Sequence, residues 1–381
     1  MIGLLAGVAL PDDVSAPNLA RQAPPAAKVS FDEAIRTGVD WLVKNQNPDG
    51  SWGKRTSGRM WEVGASVPGG HYAFEAATTA IAWMGLSDVS HQPEASRKAQ
   101  ARALQWLVRN VRVKRPRGGE LYNTWSFGFG LQALAQALLK KAPGATEVEL
   151  RATAAELVKA IGIYQTPDGG LGYYDFRTRT YRPSWSTSFT TATGLVALHL
   201  AERAGVDVPP KVVAKSRDHI LRCRTPTGSY LYGSYMKYYP HAGINKPQGS
   251  SMRTQTCNLA LRFTGAKITD KDLRRGLEDL LIRHHRFAIA GVRRPIPHES
   301  WYAVSGYFYL YGHMYAAMVL EQLPETDRKY FSKKLIEAVL KTRQPDGSYW
   351  DYPLYGYHKP YGTGFALMAL ARCTPPAAAV K

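Results

Sequence analysis

A seven-residue motif decides the fold of this chain: Gln46-Asn47-Pro48-Asp49-Gly50-Ser51-Trp52. Close copies recur at Gln165-Thr166-Pro167-Asp168-Gly169-Gly170 and at Gln344-Pro345-Asp346-Gly347-Ser348-Tyr349. Successive copies begin 119 and 179 residues apart, which is close to two and three steps of about 60 residues. A motif that returns at a fixed interval predicts an array of six structural repeats.

The same period predicts weaker copies near positions 105, 224 and 284. Near 224, the stretch Arg224-Thr225-Pro226-Thr227-Gly228-Ser229-Tyr230 keeps the Pro, the Gly and the aromatic residue. Near 105, Gln105 leads through a basic stretch to Gly118-Gly119-Glu120-Leu121-Tyr122. Near 284, His284-His285 stands at the Gln position and Arg293-Arg294-Pro295-Ile296-Pro297 at the turn. We therefore expect three strong and three weak repeats.

Each strong copy predicts the end of an amphipathic helix. Residues 38–44 have their apolar side chains on one helical face, and Pro-Asp-Gly then supplies a fixed φ, an Asx turn and a left-handed position. The Gln amide can bond backbone groups left open at helix ends, and the aromatic residue can pack over the turn. We interpret these segments as outer helices.

A second type of segment follows each turn and is rich in Ala, Gly, Thr and aromatic residues. These segments have few charges and are apolar on nearly every side, which is typical of a buried helix. They cover residues 71–86, 124–139, 184–200, 250–263, 307–320 and 361–371. Six outer helices paired with six buried inner helices predict a closed double ring.

The motif on such helix pairs resembles the repeat of squalene and oxidosqualene cyclases and of protein prenyltransferase β-subunits. The resemblance covers roughly residues 31–373. It implies an all-α, (α/α)6 toroid with a ligand cavity at one end of the inner helices. We expect one domain over residues 31–373, a disordered leader or signal remnant at 1–30, and a disordered tail at 374–381.

Composition is compatible with a water-soluble enzyme or binding protein. Of the 381 residues, 45% are hydrophobic, and no apolar run approaches the ~20 residues that span a bilayer. Residues 1–16 can be the remainder of a signal peptide or an ordinary N-terminus, so both cytoplasmic and extracytoplasmic locations stay open. Three cysteines without a C-x-x-C element do not form a disulfide framework.

A net charge of +19 raises the local concentration of polyanions around the chain. No nucleic-acid-binding module accompanies this charge. We expect a small-molecule or oligomeric ligand, which is anionic if the basic charge serves to attract it. Peripheral contact with an anionic membrane surface is a further possibility.

The sequence lacks two signatures of terpene chemistry. Neither the D-x-D-D motif, whose protonated carboxyl donates its proton to an alkene or epoxide, nor the magnesium-binding D-D-x-x-D motif occurs. Cyclase chemistry of the familiar kind is therefore disfavoured.

The resemblance to protein prenyltransferases also implies a zinc site. Those enzymes hold catalytic zinc with Asp, Cys and His, and Cys257 and His313 match two of the three placements. The expected Asp is Gln255 here, and a neutral amide is a poor zinc ligand. We therefore expect no cofactor, with zinc at Cys257 and His313 as the alternative.

Enzymes that act on polysaccharides also use rings of helix pairs. β-Elimination needs a Tyr or His base and a cation to neutralise a uronate, and the chain has 22 Tyr and 49 Lys plus Arg. Hydrolysis needs two opposed carboxyls. The candidates at the mouths of inner helices are Glu75, Asp175, Glu299 and Asp351.

The leading hypothesis is an isoprenoid-handling protein of cyclase or prenyltransferase type. A lyase or hydrolase of an acidic glycan and a non-catalytic binding scaffold are the alternatives. The candidate catalytic residues are Glu75 as acid, His313 as base and Tyr309 as the ring that stabilises a cation. The candidate ligand contacts are Arg253 as anion clamp, Trp185, Tyr122 and Tyr361.

Overall fold

The computed structural model describes residues 29–54, 71–112, 123–172, 185–293, 305–352 and 358–373. Thirteen α-helices lie within these ranges: α1 (Phe31–Lys44), α2 (Tyr72–Asp88), α3 (Glu94–Asn110), α4 (Asn123–Lys140), α5 (Glu147–Tyr164), α6 (Ser188–Arg203), α7 (Pro210–Cys223), α8 (Pro247–Phe263), α9 (Asp270–Glu278), α10 (His285–Arg293), α11 (Ser305–Leu320), α12 (Glu325–Leu340) and α13 (Lys359–Cys373). A π-helical turn, Asp279–Arg283, joins α9 to α10. In the described ranges, β-structure is limited to isolated bridges.

Six of the helices form a closed inner ring. Helix α2 packs against α4, followed in order by α6, α8, α11 and α13, and α13 packs back against α2. At this last contact a Cβ on Gly85 would lie 2.7 Å from the Cα of Gly364. Glycine therefore permits the two backbones to approach closely enough to close the ring.

The remaining helices surround the inner ring, and each precedes the inner helix of its own repeat in the sequence. Helices α3, α5 and α7 pack mainly against the inner helix of the preceding repeat. Helices α1, α3, α5, α7 and α12 are single outer helices, whereas α9 and α10 share the fifth outer position. This arrangement is the predicted double ring of helix pairs. None of the helices in the described part of the chain has the length and hydropathy needed to cross a membrane.

The motif forms the same turn in four places. Gly50, Gly169, Gly228 and Gly347 all have φ between +78° and +95°, the left-handed region that glycine adopts readily. Each glycine N–H donates to the carbonyl three residues earlier, at 2.9–3.0 Å. The weak copy near 224 is therefore a true member of the series, while residues 118–122 and 294–297 of the other two lie outside the described residues.

Each of these turns packs on the next outer helix. A Cβ on Gly50 would meet the Arg102 carbonyl of α3 at 2.9 Å, and one on Gly347 would meet the Thr37 carbonyl of α1 at 2.8 Å. The last turn thus contacts the first helix in the way that the first turn contacts its neighbour. This contact closes the outer ring.

The two ends of the ring differ in their connections. Inner helices lead to the next outer helix through short segments: 89–93, 141–146, 204–209, 264–269 and 321–324. Outer helices lead to their inner partners through the longer segments 45–71, 111–122, 165–187, 224–246, 294–304 and 341–358. We call these the short-loop end and the long-loop end.

A cluster of charged groups lies at the short-loop end. Asp88, at the end of α2, pairs with Arg372 of α13 and with Lys140 Nζ of α4 at 2.9 Å. Arg372 also pairs with Glu321 at 3.2 Å. Burial alone would raise the pKa of Asp88, but Arg372 and Lys140 outweigh it and lower that pKa. These ion pairs join three inner helices at this end.

Candidate functional site

Aromatic side chains from five inner helices meet on the axis of the ring, towards the long-loop end. The ring centroids of Trp125 and Phe189 are 5.9 Å apart, and those of Trp125 and Tyr311 are 6.1 Å apart. Tyr311 lies 6.1 Å from Phe365, and the rings of Phe74 and Tyr361 are 5.9 Å apart. We call this set the aromatic cluster; it comprises Phe74, Trp125, Phe129, Phe189, Phe308, Tyr311, Tyr361 and Phe365.

Helical spacing places these side chains on one face of each helix. Phe308 and Tyr311 of α11 are three residues apart, as expected for neighbours on a helix surface, and their rings are 5.6 Å apart. Phe74, Trp125 and Phe308 keep partial exposure, whereas the other members are buried or nearly so. The partly exposed rings are the part of the cluster that solvent reaches.

A buried hydrogen-bond network lies beneath the aromatic cluster. Gln132 Nε2 donates to the hydroxyl of Tyr315 at 3.0 Å, and the hydroxyl of Tyr311 lies 3.0 Å from Thr193 Oγ1. Burial raises the pKa of both tyrosines, so the phenols stay protonated. This network fixes the orientation of Tyr311 inside the ring.

Asp351 lies nearby, in the segment between the last turn and α13. Its side chain is 0% exposed, and Oδ2 accepts a hydrogen bond from Leu310 N of α11 at 2.9 Å. Burial raises its pKa to about 7, although the Leu310 N–H opposes the shift. The sequence placed Asp351 among several candidate carboxyls. A lone acid inside Tyr349-Trp350-Asp351-Tyr352 was the available signal of burial.

Comparison with solved structures identifies the architecture. The type II terpene cyclase MstE from Scytonema matches with 14% identity and a TM-score of 0.52, over 90% of this chain and 97% of that one. A possible GH105 family member from Klebsiella pneumoniae matches with 14% identity and a TM-score of 0.54, over 96% and 98%.

Cellobiose 2-epimerase from Spirochaeta thermophila matches with 14% identity and a TM-score of 0.52, over 90% of this chain and 96% of that one. The chain has the α/α-toroid fold. No family model matches it, and no curated protein matches it. Because the three similar toroids differ in chemistry, the likeness shows the fold alone.

Tyr309 and His313 lie on the opposite face of α11 from the aromatic cluster of the toroid. The Tyr309 hydroxyl donates to the Ala338 carbonyl of outer helix α12 at 3.1 Å. His313 Nδ1 lies 2.7 Å from the Tyr309 carbonyl, and the two rings are 4.1 Å apart. Burial lowers the pKa of His313 to about 3. The structure therefore places this pair between the inner and outer rings, with a neutral imidazole.

Arg253 of α8 is buried and binds backbone carbonyls. Its guanidinium donates to Tyr230 O at 2.8 and 3.1 Å, to Gly249 O at 2.9 Å and to Ile244 O. Burial lowers its pKa to about 10, so the group stays charged. In the structure Arg253 holds the connection between α7 and α8, and most of its donors are occupied.

Cys257 and His313 have different surroundings in the toroid. Burial raises the pKa of the Cys257 thiol, with Cys223 and Arg253 as charged or ionisable neighbours, whereas His285 and Lys341 lie near His313. Zinc binds the thiolate form of cysteine, which a raised thiol pKa disfavours. Among the residues that the structure describes, no group of three His, Cys, Asp or Glu side chains is placed to hold a metal ion.

The other predicted site residues are dispersed. Glu75 is buried and accepts a hydrogen bond from Ser51 Oγ of the first turn at 3.3 Å. Tyr361 belongs to the aromatic cluster, and its hydroxyl pairs with His358 Nδ1. Tyr122 lies outside the described residues. Of the predicted ligand contacts that the structure describes, Tyr361 is thus the one that lies in the cluster.

Trp185 lies on the surface of the long-loop end. It is 55% exposed, and its ring centroid is 5.9 Å from that of Tyr235. Between them, Ser186 Oγ and Ser234 Oγ donate to Asp168 Oδ2 at 2.8 and 2.6 Å. The carboxylate of the second strong motif therefore holds two loops together and fixes the position of this exposed aromatic pair.

Asp168 also pairs with a histidine where other turns have a tryptophan. Asp49 accepts from Trp106 Nε1 at 3.2 Å, and His219 Nδ1 lies 3.3 Å from Asp168 Oδ2. Burial would raise the pKa of Asp168, but the hydrogen bonds of His219 and Ser234 lower it. This turn thus departs from the repeat pattern at the position that supports Trp185.

Proposed function

We propose that this toroid binds a linear isoprenoid at its long-loop end, as an enzyme of terpene-cyclase or prenyltransferase type. The observation that supports the proposal is the aromatic cluster, to which five of the six inner helices contribute. Flat apolar rings suit a hydrocarbon chain, and their faces stabilise a cation that develops on it. The type II terpene cyclase among the similar structures is consistent with this use of the fold.

The placement of the described carboxyls favours this proposal over glycan hydrolysis. A hydrolase needs two carboxyls that face each other across the scissile bond. In the described part of the chain, Glu75 contacts the first turn and Asp351 is bonded to α11, while Asp175 and Glu299 lie outside it. The described residues therefore supply two buried acids that are bonded to different elements, Glu75 and Asp351, instead of an opposed pair.

One observation favours an acidic glycan as a second candidate ligand. Trp185 and Tyr235 form an exposed pair on the surface of the long-loop end, and Lys237 Nζ lies 4.8 Å from the ring centre of neighbouring Tyr238. An aromatic face beside a cation suits a sugar ring that carries a carboxylate. This ligand would bind outside the aromatic cluster.

A pair of tryptophan variants separates the two candidates. Squalene in detergent micelles is titrated into the protein and its binding is followed by calorimetry. For an isoprenoid ligand, Trp125→Ala weakens binding by about tenfold or more, which corresponds to about 1.4 kcal/mol or more, while Trp185→Ala leaves it unchanged. For a glycan ligand, polygalacturonate binding is lost in Trp185→Ala and kept in Trp125→Ala.

The outcome that contradicts the proposal is equally specific. If wild-type protein does not bind squalene, or if both variants bind it equally well, the aromatic cluster is not the site of an isoprenoid. If neither squalene nor polygalacturonate binds, the toroid is better described as a scaffold for another partner.

A further inference from the structure

Two histidines and two tyrosines lie where the first inner helix, α2, packs against the last, α13. His71 immediately precedes α2 and His358 immediately precedes α13, so both imidazoles are at the long-loop end of the ring. Their exposure is 1% and 3%. We call this set the His–Tyr group; it comprises His71, Tyr352, His358 and Tyr361.

Ring contacts join the His–Tyr group to the aromatic cluster. The imidazole of His71 stacks on Phe74 with the centroids 4.8 Å apart. Phe74 lies 6.2 Å from His358 and 5.9 Å from Tyr361. Phe74 is one of the partly exposed rings of the cluster. A ligand that lies against Phe74 is therefore close to both imidazoles.

The imidazole of His358 is held in place by the two tyrosines. Its Nδ1 pairs with the hydroxyl of Tyr361, and the two ring centroids are 5.0 Å apart. Tyr352 stacks on the imidazole at 4.9 Å, with an angle of 26° between the rings. The position of the ring nitrogens is thus fixed by the connection before α13 and by α13 itself.

The opposite side of the aromatic cluster is less polar. The rings of Phe189 and Phe308 are 4.9 Å apart, and Trp125 lies 6.5 Å from Phe308. The hydroxyl of Tyr311 lies 3.0 Å from Thr193 Oγ1 in the network beneath the cluster. The cluster is therefore asymmetric, with hydrocarbon faces on α4, α6 and α11 and hydrogen-bonding side chains at α2 and α13.

The chemistry of the His–Tyr group suits a hydroxyl. A neutral imidazole and a phenol can each donate and accept a hydrogen bond, and so can an alcohol. A diphosphate at neutral pH mainly accepts, and its charges call for Arg, Lys or Mg²⁺. Lys359 follows His358 in the chain, but its Nζ lies 2.8 Å from Asp346 Oδ2, so an acid already balances its charge.

We propose that the His–Tyr group binds the hydroxyl of an isoprenoid alcohol whose chain lies on the aromatic cluster, an assignment that rests on the isoprenoid ligand proposed above. The alcohol exchanges hydrogen bonds with the buried imidazoles, and Phe74 contacts the carbons next to it. A hydrogen bond formed away from water discriminates against a ligand that lacks the polar atom. The group thus selects which end of the chain lies at α2 and α13.

Two ligands that differ by one oxygen test the assignment. Geranylgeraniol and the hydrocarbon with hydrogen in place of its hydroxyl are titrated in one detergent, and the ratio of their dissociation constants is compared between proteins, so that partition into micelles cancels. His358→Phe keeps an aromatic ring beside Phe74 and Tyr352 but removes both nitrogens. It should reduce the preference for the alcohol by about fivefold to tenfold and leave hydrocarbon binding unchanged.

His199→Phe is the matched control variant. His199 of α6 also stacks on an aromatic ring, Phe263, with the centroids 4.3 Å apart, but it lies towards the short-loop end, so its replacement should leave the ratio unchanged. Tyr361→Phe removes only the hydroxyl that pairs with His358 and should reduce the preference by a smaller factor. Circular dichroism and hydrocarbon binding verify that each variant folds.

Each remaining result overturns a defined part of the inference. An unchanged ratio in both His358→Phe and Tyr361→Phe removes the hydroxyl site while the isoprenoid site stands. If geranylgeranyl diphosphate binds wild type more tightly than the alcohol and loses more affinity in His358→Phe, the group binds an anion and the alcohol is wrong. If neither the alcohol nor the hydrocarbon binds, the isoprenoid ligand and the role of the His–Tyr group fall together.

Discussion

Two aspartates, the largely buried Asp88 and the fully buried Asp351, lie at opposite ends of the ring and have opposite electrostatic environments. At the short-loop end, Arg372 and Lys140 outweigh the effect of burial and lower the pKa of Asp88. At the long-loop end, burial raises the pKa of Asp351 to about 7, and no charged side chain among the described residues compensates for it. The same side chain is thus held as a carboxylate at one end, whereas burial favours its protonated form at the other.

The difference between the two environments indicates that the two carboxyls have different roles. Paired carboxylates stabilise helix contacts, whereas a buried acid without a cation is a burden for stability at neutral pH unless it has another use. The long-loop end also carries the aromatic cluster and the exposed Trp185. The comparison therefore assigns stabilising ion pairs to the short-loop end, whereas ligand chemistry at the long-loop end stays a proposal.

The largest expected effect comes from Asp351→Asn. The folded pKa is raised from 3.8 to about 7, so the contribution of Asp351 to stability is fully present below pH 4 and is lost as pH rises through 7. At about 1.4 kcal/mol per pKa unit, the loss above pH 8 is of the order of 4 kcal/mol. Urea unfolding of wild type and Asp351→Asn from pH 4 to 9 measures it.

We expect the variant to lack this decline in the free energy of unfolding. A wild-type profile that is flat between pH 5 and 8, or the same decline in both proteins, would show that Asp351 does not titrate in this range.

The next effect tests the short-loop end. Arg372→Met leaves Asp88 and Glu321 without a cation that contacts both. Removing one partner of a partly buried network should lower the free energy of unfolding by about 3 kcal/mol. Arg36→Met, which breaks an exposed ion pair with Asp40, is the control and should have little effect.

The acid dependence of stability provides a second check on the same ion pairs. Because the pKa of Asp88 is lowered in the folded state, its contribution is present above the unfolded value of ~4 and is lost as pH falls below it. In Arg372→Met this loss should be smaller. An unchanged loss of stability at low pH would mean that Lys140 alone holds the Asp88 carboxylate.

The smallest effects compare the two faces of α11. Tyr311→Phe and Tyr309→Phe each remove one buried hydroxyl with a hydrogen-bond partner, so each should lower stability by about 1 kcal/mol. Squalene binding should weaken in Tyr311→Phe, because the lost hydroxyl holds the ring in place, and should remain unchanged in Tyr309→Phe. Equal binding by both variants would mean that the ligand does not distinguish the two faces.

The ring of helices could be predicted from the sequence because each turn that ends an outer helix is specified by a few consecutive residues. Pro-Asp-Gly favours a turn wherever it stands, and three Pro-Asp-Gly copies together with Pro226-Thr227-Gly228 form turns with a glycine at positive φ. The direction of a buried side chain could not be predicted in the same way. Helix α11 is apolar and aromatic all round, so its sequence does not show whether Tyr309 or Tyr311 faces the axis.

For the same reason, the sequence does not show which of the candidate site residues lie together. Tyr309 and His313 are residue types of catalytic chemistry, and in the structure they contact α12 and each other. The partners of Arg253 are backbone carbonyls of a connection, which no residue pattern reveals. Asp351 is distinguished by the absence of a cation among its described neighbours, a property of the folded state that spacing does not encode.

The contact of the last turn with the first helix also indicates that the order of the repeats along the chain can be changed without losing an interface. Gly347 meets α1 as Gly50 meets α3, and α1 packs against α13. The beginning of α1 and the end of α13 both lie at the short-loop end, away from the aromatic cluster. A circular permutant that joins these ends and opens another short connection should therefore keep every repeat interface and the same site.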